Sequence, residues 1–356
     1  MMEKRPIVAI TMGDPAGNGP EISIKALLHK ELYEKVRPII IGDARVIEKA
    51  KLFVGNPSVS INAVSCVKDA EFVFGNIDVL HEDLLDDVDG FKVGVVSAQG
   101  GKAAFLSVKK AIKLAMNNEV DATCTNALNK EAMNLALEES NGSFSDGHTH
   151  FDGHTEIYAT YTGTKSYAMM LVHGDLRVSH VSTHCALREA CERVKKARVL
   201  EVIKLTYNAL RLLGMKNPKI AVAGLNPHAG EHGLFGKEEI DEIIPAIKEA
   251  NSLGINALGP IPPDSVFPEA LGGWYDAVVA MYHDQGHIPV KVVGFVFDRD
   301  KQEWKAVEGV NVTLGLPIIR TSVDHGTGFA LAGTGRSSEL SLLNAIDFAS
   351  MLARAR

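Results

Sequence analysis

Three histidines stand where apolar runs stop. Ile220-Ala221-Val222-Ala223 leads into Gly224-Leu225-Asn226-Pro227-His228-Ala229-Gly230-Glu231. Ala277-Val278-Val279-Ala280-Met281-Tyr282 leads into His283-Asp284-Gln285-Gly286, and residues 178–183 lead into His184. In α/β sheets the ligand crevice lies just beyond strand ends. Imidazoles suit zinc and other first-row ions, and three protein ligands leave positions open for a substrate. His184, His228 and His283 are therefore the candidate metal ligands. His148, His150, His173, His180, His232, His287 and His325 are rivals for that role.

Charged and polar residues accompany them. Asp284 follows His283, and Lys291 lies seven positions further on. Asn311 and Arg320 flank the apolar run 312–319. An Arg and a Lys near one crevice could clamp a phosphate or a carboxylate. Gly153-His154-Thr155-Glu156 precedes a helical pattern; Thr155 could cap that helix, or could hold a polar ligand together with His154. Asp324-His325-Gly326-Thr327-Gly328 reads as a tight polar turn that could contact a cofactor. Gly13-Asp14-Pro15-Ala16-Gly17-Asn18-Gly19-Pro20-Glu21 follows a strand pattern and opens a helix. That placement suits either an anion at a helix N-terminus or a tight packing turn. Its glycines have the wrong spacing for a dinucleotide fingerprint, and no Gly-Lys-Ser/Thr follows for a P-loop.

The elements that would position these residues alternate along the chain. Strand patterns cover residues 7–11, 36–41, 120–125, 167–172, 177–183, 219–223 and 276–282. Helical patterns cover 101–117, 187–213, 237–252 and 340–354, with another opening at Pro20. The alternation predicts an α/β fold with a mostly parallel sheet. Two polar segments, 138–152 and 296–308, read as surface insertions. The second also reads as a hairpin, because Phe295-Val296-Phe297 and Trp304 flank its charged centre.

Length and composition bound the function. A chain of 356 residues suggests two domains of roughly 150 residues each. A formal charge of −7 argues against a nucleic-acid surface. Cys66, Cys124, Cys185 and Cys191 form no CxxC pair and read as reduced thiols, most of them buried. No apolar run approaches the ~20 residues a membrane span needs, and residues 1–6 lack a signal-peptide core. The expectation is a cytoplasmic protein with neither a membrane nor a nucleic-acid partner.

Taken in order, these motifs resemble the 4-hydroxythreonine-4-phosphate dehydrogenase family of pyridoxal phosphate biosynthesis. The resemblance runs from Ile10-Thr11-Met12-Gly13-Asp14-Pro15-Ala16-Gly17 to Arg320-Thr321-Ser322-Val323-Asp324-His325-Gly326-Thr327. It includes Gly153-His154-Thr155-Glu156, residues 224–231, Tyr282-His283-Asp284-Gln285-Gly286 and residues 309–317. The family also has a branch acting on 4-phospho-D-threonate and 4-phospho-D-erythronate. Residues 182–191, with Met12 and Asp14, look closer to that branch.

The resemblance implies a two-domain isocitrate/isopropylmalate-dehydrogenase-like fold with a cleft between domains. Residues 1–140 and 310–356 would form the first domain and 141–309 the second. It implies a homodimer with shared active sites. His184, His228 and His283 would hold one divalent ion (Zn, Mg or Co), with His283 coming from the partner chain. Substrate positions would be His154, Thr155, Lys291, Asn311 and Arg320, and Lys291, Asp264 and Asp284 are the candidate catalytic groups. The implied reaction is the NAD-dependent oxidation, with decarboxylation, of a 4-phosphorylated 3-hydroxy acid. The leaning is to 4-phospho-D-threonate or 4-phospho-D-erythronate, with the vitamin B6 substrate as the alternative. A metal-dependent phosphoester hydrolase is a remoter one, since the same histidines could activate water. A non-catalytic phosphometabolite sensor is another, although no output module is visible.

Overall fold

The computed structural model describes residues 5–300 and 303–356. The chain divides into two compact units, one running to Thr164 and resuming over Leu316–Arg354, the other spanning Lys165–Gly315. The changeovers therefore fall at 164/165 and 315/316, where the sequence reading placed them at 140/141 and 309/310. Residues 154–162, with their candidate substrate groups, belong to the first unit.

The first unit begins with β1 (Ile7–Thr11), β2 (Arg37–Gly42), β3 (Ser60–Val64), β4 (Asn76–His81) and β5 (Ala122–Thr125). The second contributes β6 (Ala168–His173), β7 (Leu176–His180), β8 (Ile220–Ala223), β9 (Ala257–Ile261) and β10 (Ala277–Ala280), followed by β11 (Phe295–Asp298), β12 (Glu303–Val307) and β13 (Val310–Leu314). The chain then returns to the first unit with β14 (Arg320–Val323).

Strands of the first unit lie in the order β3-β4-β2-β1-β5-β14, all parallel. The runs of the inner strands are buried on both faces, as parallel strands covered by helices must be; Val8, Ile10, Ile39, Ile40 and Ile41 are inaccessible, whereas the edge strand β3 is buried only at Val64. In the second unit the order is β13-β6-β7-β10-β8-β9. There β6 runs antiparallel to both β13 and β7, and the remainder is parallel. Each unit has its own core: Phe105, Met133, Phe151 and Tyr158 anchor the first, and Val199, Ile203, Val222 and Val279 the second.

Helix Ala98–Met116 packs on helix Lys130–Glu139 at Gly101, where a Cβ would fall 2.0 Å from the Ala132 carbonyl oxygen. The crossing admits only glycine there. Among the described residues no helix is long and apolar enough to cross a membrane.

Several elements differ from expectation. The single helix read over 187–213 is two, Leu187–Arg193 and Lys196–Leu212. Lys196 donates its backbone N–H to Glu242 at 2.7 Å, which starts the second helix from outside. The pattern over 237–252 is a π-turn, Glu239–Ile243, followed by helix Ile244–Ser252. Pro245 lies just inside that second helix and has no N–H to continue a regular ladder.

The segment 138–152 is more than a surface insertion. Phe151 is buried, and Phe144 and Phe151 pack their rings against Phe105. Asn134 clamps Phe151 through both its backbone N–H and its carbonyl. The segment 296–308 is the hairpin of β11 and β12, with Phe295 opposite Val307; residues 301–302 lie outside the described residues. Of the four cysteines, only Cys124 is fully buried, and burial pushes its thiol up to about 12. Cys66, Cys185 and Cys191 are half-buried.

Candidate active site

In the second unit, parallel strands β7, β10 and β8 lie side by side, so the segments that follow them leave the same edge of the sheet. His184 follows β7 after a short bend. His283 is not a strand tip: Tyr282 is the N-cap, and His283 opens helix His283–Gly294. The rings of His184 and His283 stand 5.7 Å apart, centroid to centroid. Nδ1 of His283 lies 2.7 Å from the Asp284 carboxylate. With a proton on Nδ1, this contact leaves Nε2 with a bare lone pair, the arrangement in which a carboxylate orients a metal-binding imidazole.

His228 sits elsewhere in the unit, 6.2 Å from the ring of Phe235. Its loop is a left-handed turn: φ is 52° at His228, 50° at Ala229, 42° at Glu231 and 56° at His232. Each such non-glycine residue costs roughly 1–2 kcal/mol. Glu239 holds the loop. Its buried carboxylate accepts the backbone N–H of Leu225 and of Asn226, both at 2.8 Å, and the Asn226 side-chain amide at 3.0 Å. The sequence reading missed Glu239, because nothing in a helical pattern marks a carboxylate that serves a loop.

Among the described residues no three His, Cys, Asp or Glu side chains are gathered as ligands to one ion. The His184–His283 pair, oriented by Asp284, suits a divalent ion in donor chemistry, and among the described residues no third donor joins it.

His180 and His287, left as rivals by the sequence, adjoin that pair. His287 is one helical turn beyond His283, and the two rings stack at 3.6 Å. Its Nδ1 reaches the His283 carbonyl at 3.0 Å. His180 ends β7 and lies 4.7 Å from His287. Its Nδ1 faces the Met169 carbonyl, and its Nε2 is buried with no hydrogen-bond partner. Gly286 makes room for it, since a Cβ there would fall 2.3 Å from Nε2. Burial pushes His180 down to about 3 and His287 down to about 4, so both are neutral. The spacing of His283, His287 and Lys291 at i, i+4 and i+8 was the signal for one helix face.

Lys291 lies on that helix with its ammonium 5.0 Å from the Phe295 ring centroid. Asn311 is on β13, and its side-chain oxygen is buried without a hydrogen-bond partner. Asp264 occupies an exposed turn before helix Val266–Leu271. Asp284 is exposed as well.

In the first unit, His154 opens helix His154–Thr162. Gly153 is the N-cap and provides no side-chain cap, so Thr155 is a first-turn residue and not the cap. The first-turn N–H groups of an uncapped helix form an anion-binding end. Nε2 of His154 is fully covered and has no hydrogen-bond partner. Burial, reinforced by Arg320 and Lys130, holds His154 well below its ordinary value. Arg320 begins β14 and is buried; burial brings it down to about 10, and its guanidinium donates to the Thr125 hydroxyl at 2.8 Å.

The loop 13–21 is tightly packed, as a packing turn would be. A Cβ on Gly19 would fall 2.3 Å from the Met12 carbonyl oxygen, so this turn requires close backbone approach. Asp14 and Glu21 are both buried acids in this loop.

These two units together define an α/β protein with the isocitrate/isopropylmalate-dehydrogenase-like fold. Residues 34–349 match the family model described as "Pyridoxal phosphate biosynthetic protein PdxA". The chain belongs to this family. It is 47% identical over 349 residues to a protein of Bradyrhizobium diazoefficiens named "Putative D-threonate 4-phosphate dehydrogenase", covering 97% of this chain and 96% of the relative. A Clostridium botulinum protein of the same name is 44% identical, with 98% and 97% covered. The crystal structure of 4-hydroxythreonine-4-phosphate dehydrogenase from Klebsiella pneumoniae superposes with a TM-score of 0.84 at 39% identity, covering 99% of this chain and 100% of that one.

Proposed function

We propose that this chain is an NAD-dependent, divalent-metal-dependent dehydrogenase that oxidises the C3 hydroxyl of 4-phospho-D-threonate or 4-phospho-D-erythronate, with decarboxylation. Full-length identity of 44–47% to relatives named for D-threonate 4-phosphate carries the substrate reading. His184, His228 and His283 are the ligands in this reading, with His283 supplied by the partner chain of a homodimer. An ion bound there would polarise the C3 oxygen, and the nicotinamide would accept the hydride.

The chain's own residues do the rest. Asp284 fixes the His283 tautomer. His154, Thr155, Lys291, Asn311 and Arg320 are the residues that would hold the phosphate and carboxylate ends. The neutral His154 can donate to a phosphate oxygen or take up a proton beside it. Lys291, Asp264 or Asp284 removes the hydroxyl proton. A lysine base needs its ammonium destabilised by burial or by nearby positive charge.

The solved neighbour from Klebsiella pneumoniae favours a second reading, in which the substrate is 4-phosphohydroxythreonine. One experiment separates the two. Purified protein with NAD and a divalent metal is given each substrate in parallel, and NADH absorbance is followed. Preference for 4-phospho-D-threonate supports the first reading, and preference for the amino acid overturns it. Phosphate release without NADH would make the protein a hydrolase.

A further inference from the structure

Lys130 opens helix Lys130–Glu139, which Asn129 caps by accepting the Ala132 N–H at 2.8 Å. A lysine in a first turn meets the positive end of the helix dipole and gains nothing from it. Lys130 is exposed, and among the described residues no carboxylate forms an ion pair with it.

What lies beside it is the uncapped end of a second helix. A Cβ placed on Gly153 would be 3.4 Å from Lys130 Cε and 4.0 Å from its Nζ. Gly153 has φ 151° and is the N-cap of helix His154–Thr162. The end of the lysine side chain therefore lies beside the N-cap residue of that helix. The adjacent His154 carries a covered Nε2 with no partner, and Lys130 is one of the two cations that keep this imidazole neutral. Arg320 is the other. The uncapped end of helix His154–Thr162, an unpartnered imidazole and two cations form a concentration of positive potential that a dianion would satisfy, while the first-turn acid Glu156 turns back to accept the Asp152 N–H.

We propose that Lys130 is a phosphate-binding residue, its ammonium closing over a phosphate held by His154, Thr155 and the first-turn amides of helix His154–Thr162. A dianion gains more than a monoanion from this arrangement, so the phosphate end of a substrate takes it and a carboxylate end does not. The identity of the substrate that carries the phosphate rests on the functional reading above; the anion site itself does not.

The test uses the full chain and inorganic phosphate as the probe, with affinity read by titration calorimetry. Lys130→Gln is expected to weaken phosphate binding about tenfold, Lys130→Arg to restore it to within about threefold, and rising salt to weaken the wild type more than Lys130→Gln. D-Threonate, which has a carboxylate and no phosphate, should bind both proteins alike. Equal phosphate affinity in wild type and Lys130→Gln overturns the proposal, as does a wild type that binds no phosphate. Phosphate binding that depends on Lys130, in a protein that makes no NADH from 4-phospho-D-threonate, would keep this site and remove the substrate reading.

Discussion

His287 lies parallel to His283, with ring centroids 3.6 Å apart and planes within 12°. The pair is one turn apart on a single helix, and the His287 Nδ1 is tied to the His283 carbonyl. Asp284 holds the His283 ring at its Nδ1 and His287 covers its face, so rotation of the imidazole is opposed on two sides.

If His283 is a metal ligand, His287 acts as a positioning residue. His287→Ala should weaken Zn or Co affinity about tenfold, in the range expected for groups that orient a ligand. His287→Phe, which keeps a stacked ring, should stay within about threefold of wild type. Competition against a chelator measures both. Unchanged affinity in His287→Ala would remove the positioning role, whereas a wild type that binds no metal would remove the ligand assignment itself.

Glu239 supports the other proposed ligand. Replacing it with Ala leaves two backbone N–H groups and the Asn226 amide without their acceptor, around a turn that is already left-handed at four non-glycine positions. The expected loss is about 3 kcal/mol of unfolding free energy. Glu239→Gln should lose less, since its amide oxygen can still accept one of the N–H groups. Urea denaturation of the three proteins decides it, and a loss below about 1 kcal/mol in Glu239→Ala would show that water replaces the carboxylate.

Much of this arrangement was legible in the sequence, for a physical reason. A buried parallel strand needs a short run of β-branched residues, so Ile7–Thr11 and Ile220–Ala223 appear at or within a residue of where the runs stand. The segments carrying His184, His228 and His283 were legible because apolar runs stop there. What failed to show was whatever depends on a distant partner. The break at residues 193–196 falls among good helix formers and is set by Glu242, 46 positions away. The burial of Phe151 depends on Asn134 and Phe105. Lys130 looks like any surface lysine until Gly153 is placed next to it.

Asp14 is a buried acid with one oxygen bonded to the Ala16 N–H and the other without a partner. Burial raises it from 3.8 to about 6. Because the folded-state value is above the unfolded one, its contribution is most favourable below pH 3.8 and is lost as pH rises to about 6. Above that the folded state carries a buried charge that the Ala16 N–H only partly compensates, costing about 3 kcal/mol. Asp14→Asn keeps the acceptor for Ala16 and carries no charge. It should raise the melting temperature at pH 8 and change little at pH 4. A melting temperature that falls at pH 8 would mean that the carboxylate is stabilised there by something else.

His154 gives the opposite pH dependence. Its folded-state value is held below its ordinary 6.5 by burial, Arg320 and Lys130, so the folded chain keeps this imidazole neutral while the unfolded chain protonates it. The stability it contributes is present above pH 6.5 and is lost as pH falls below that, at up to about 1.4 kcal/mol per pH unit. His154→Gln has no proton to take up and should show a shallower loss of stability between pH 6.5 and 5. Phosphate binding should reverse part of the wild-type effect, because a dianion beside the imidazole favours its charged form. The wild type would then take up more protons, or release fewer, on binding phosphate than His154→Gln does, a difference measurable as a buffer-dependent heat in calorimetry. If the uptake is the same in wild type and His154→Gln, the proton goes elsewhere and His154 does not face the anion.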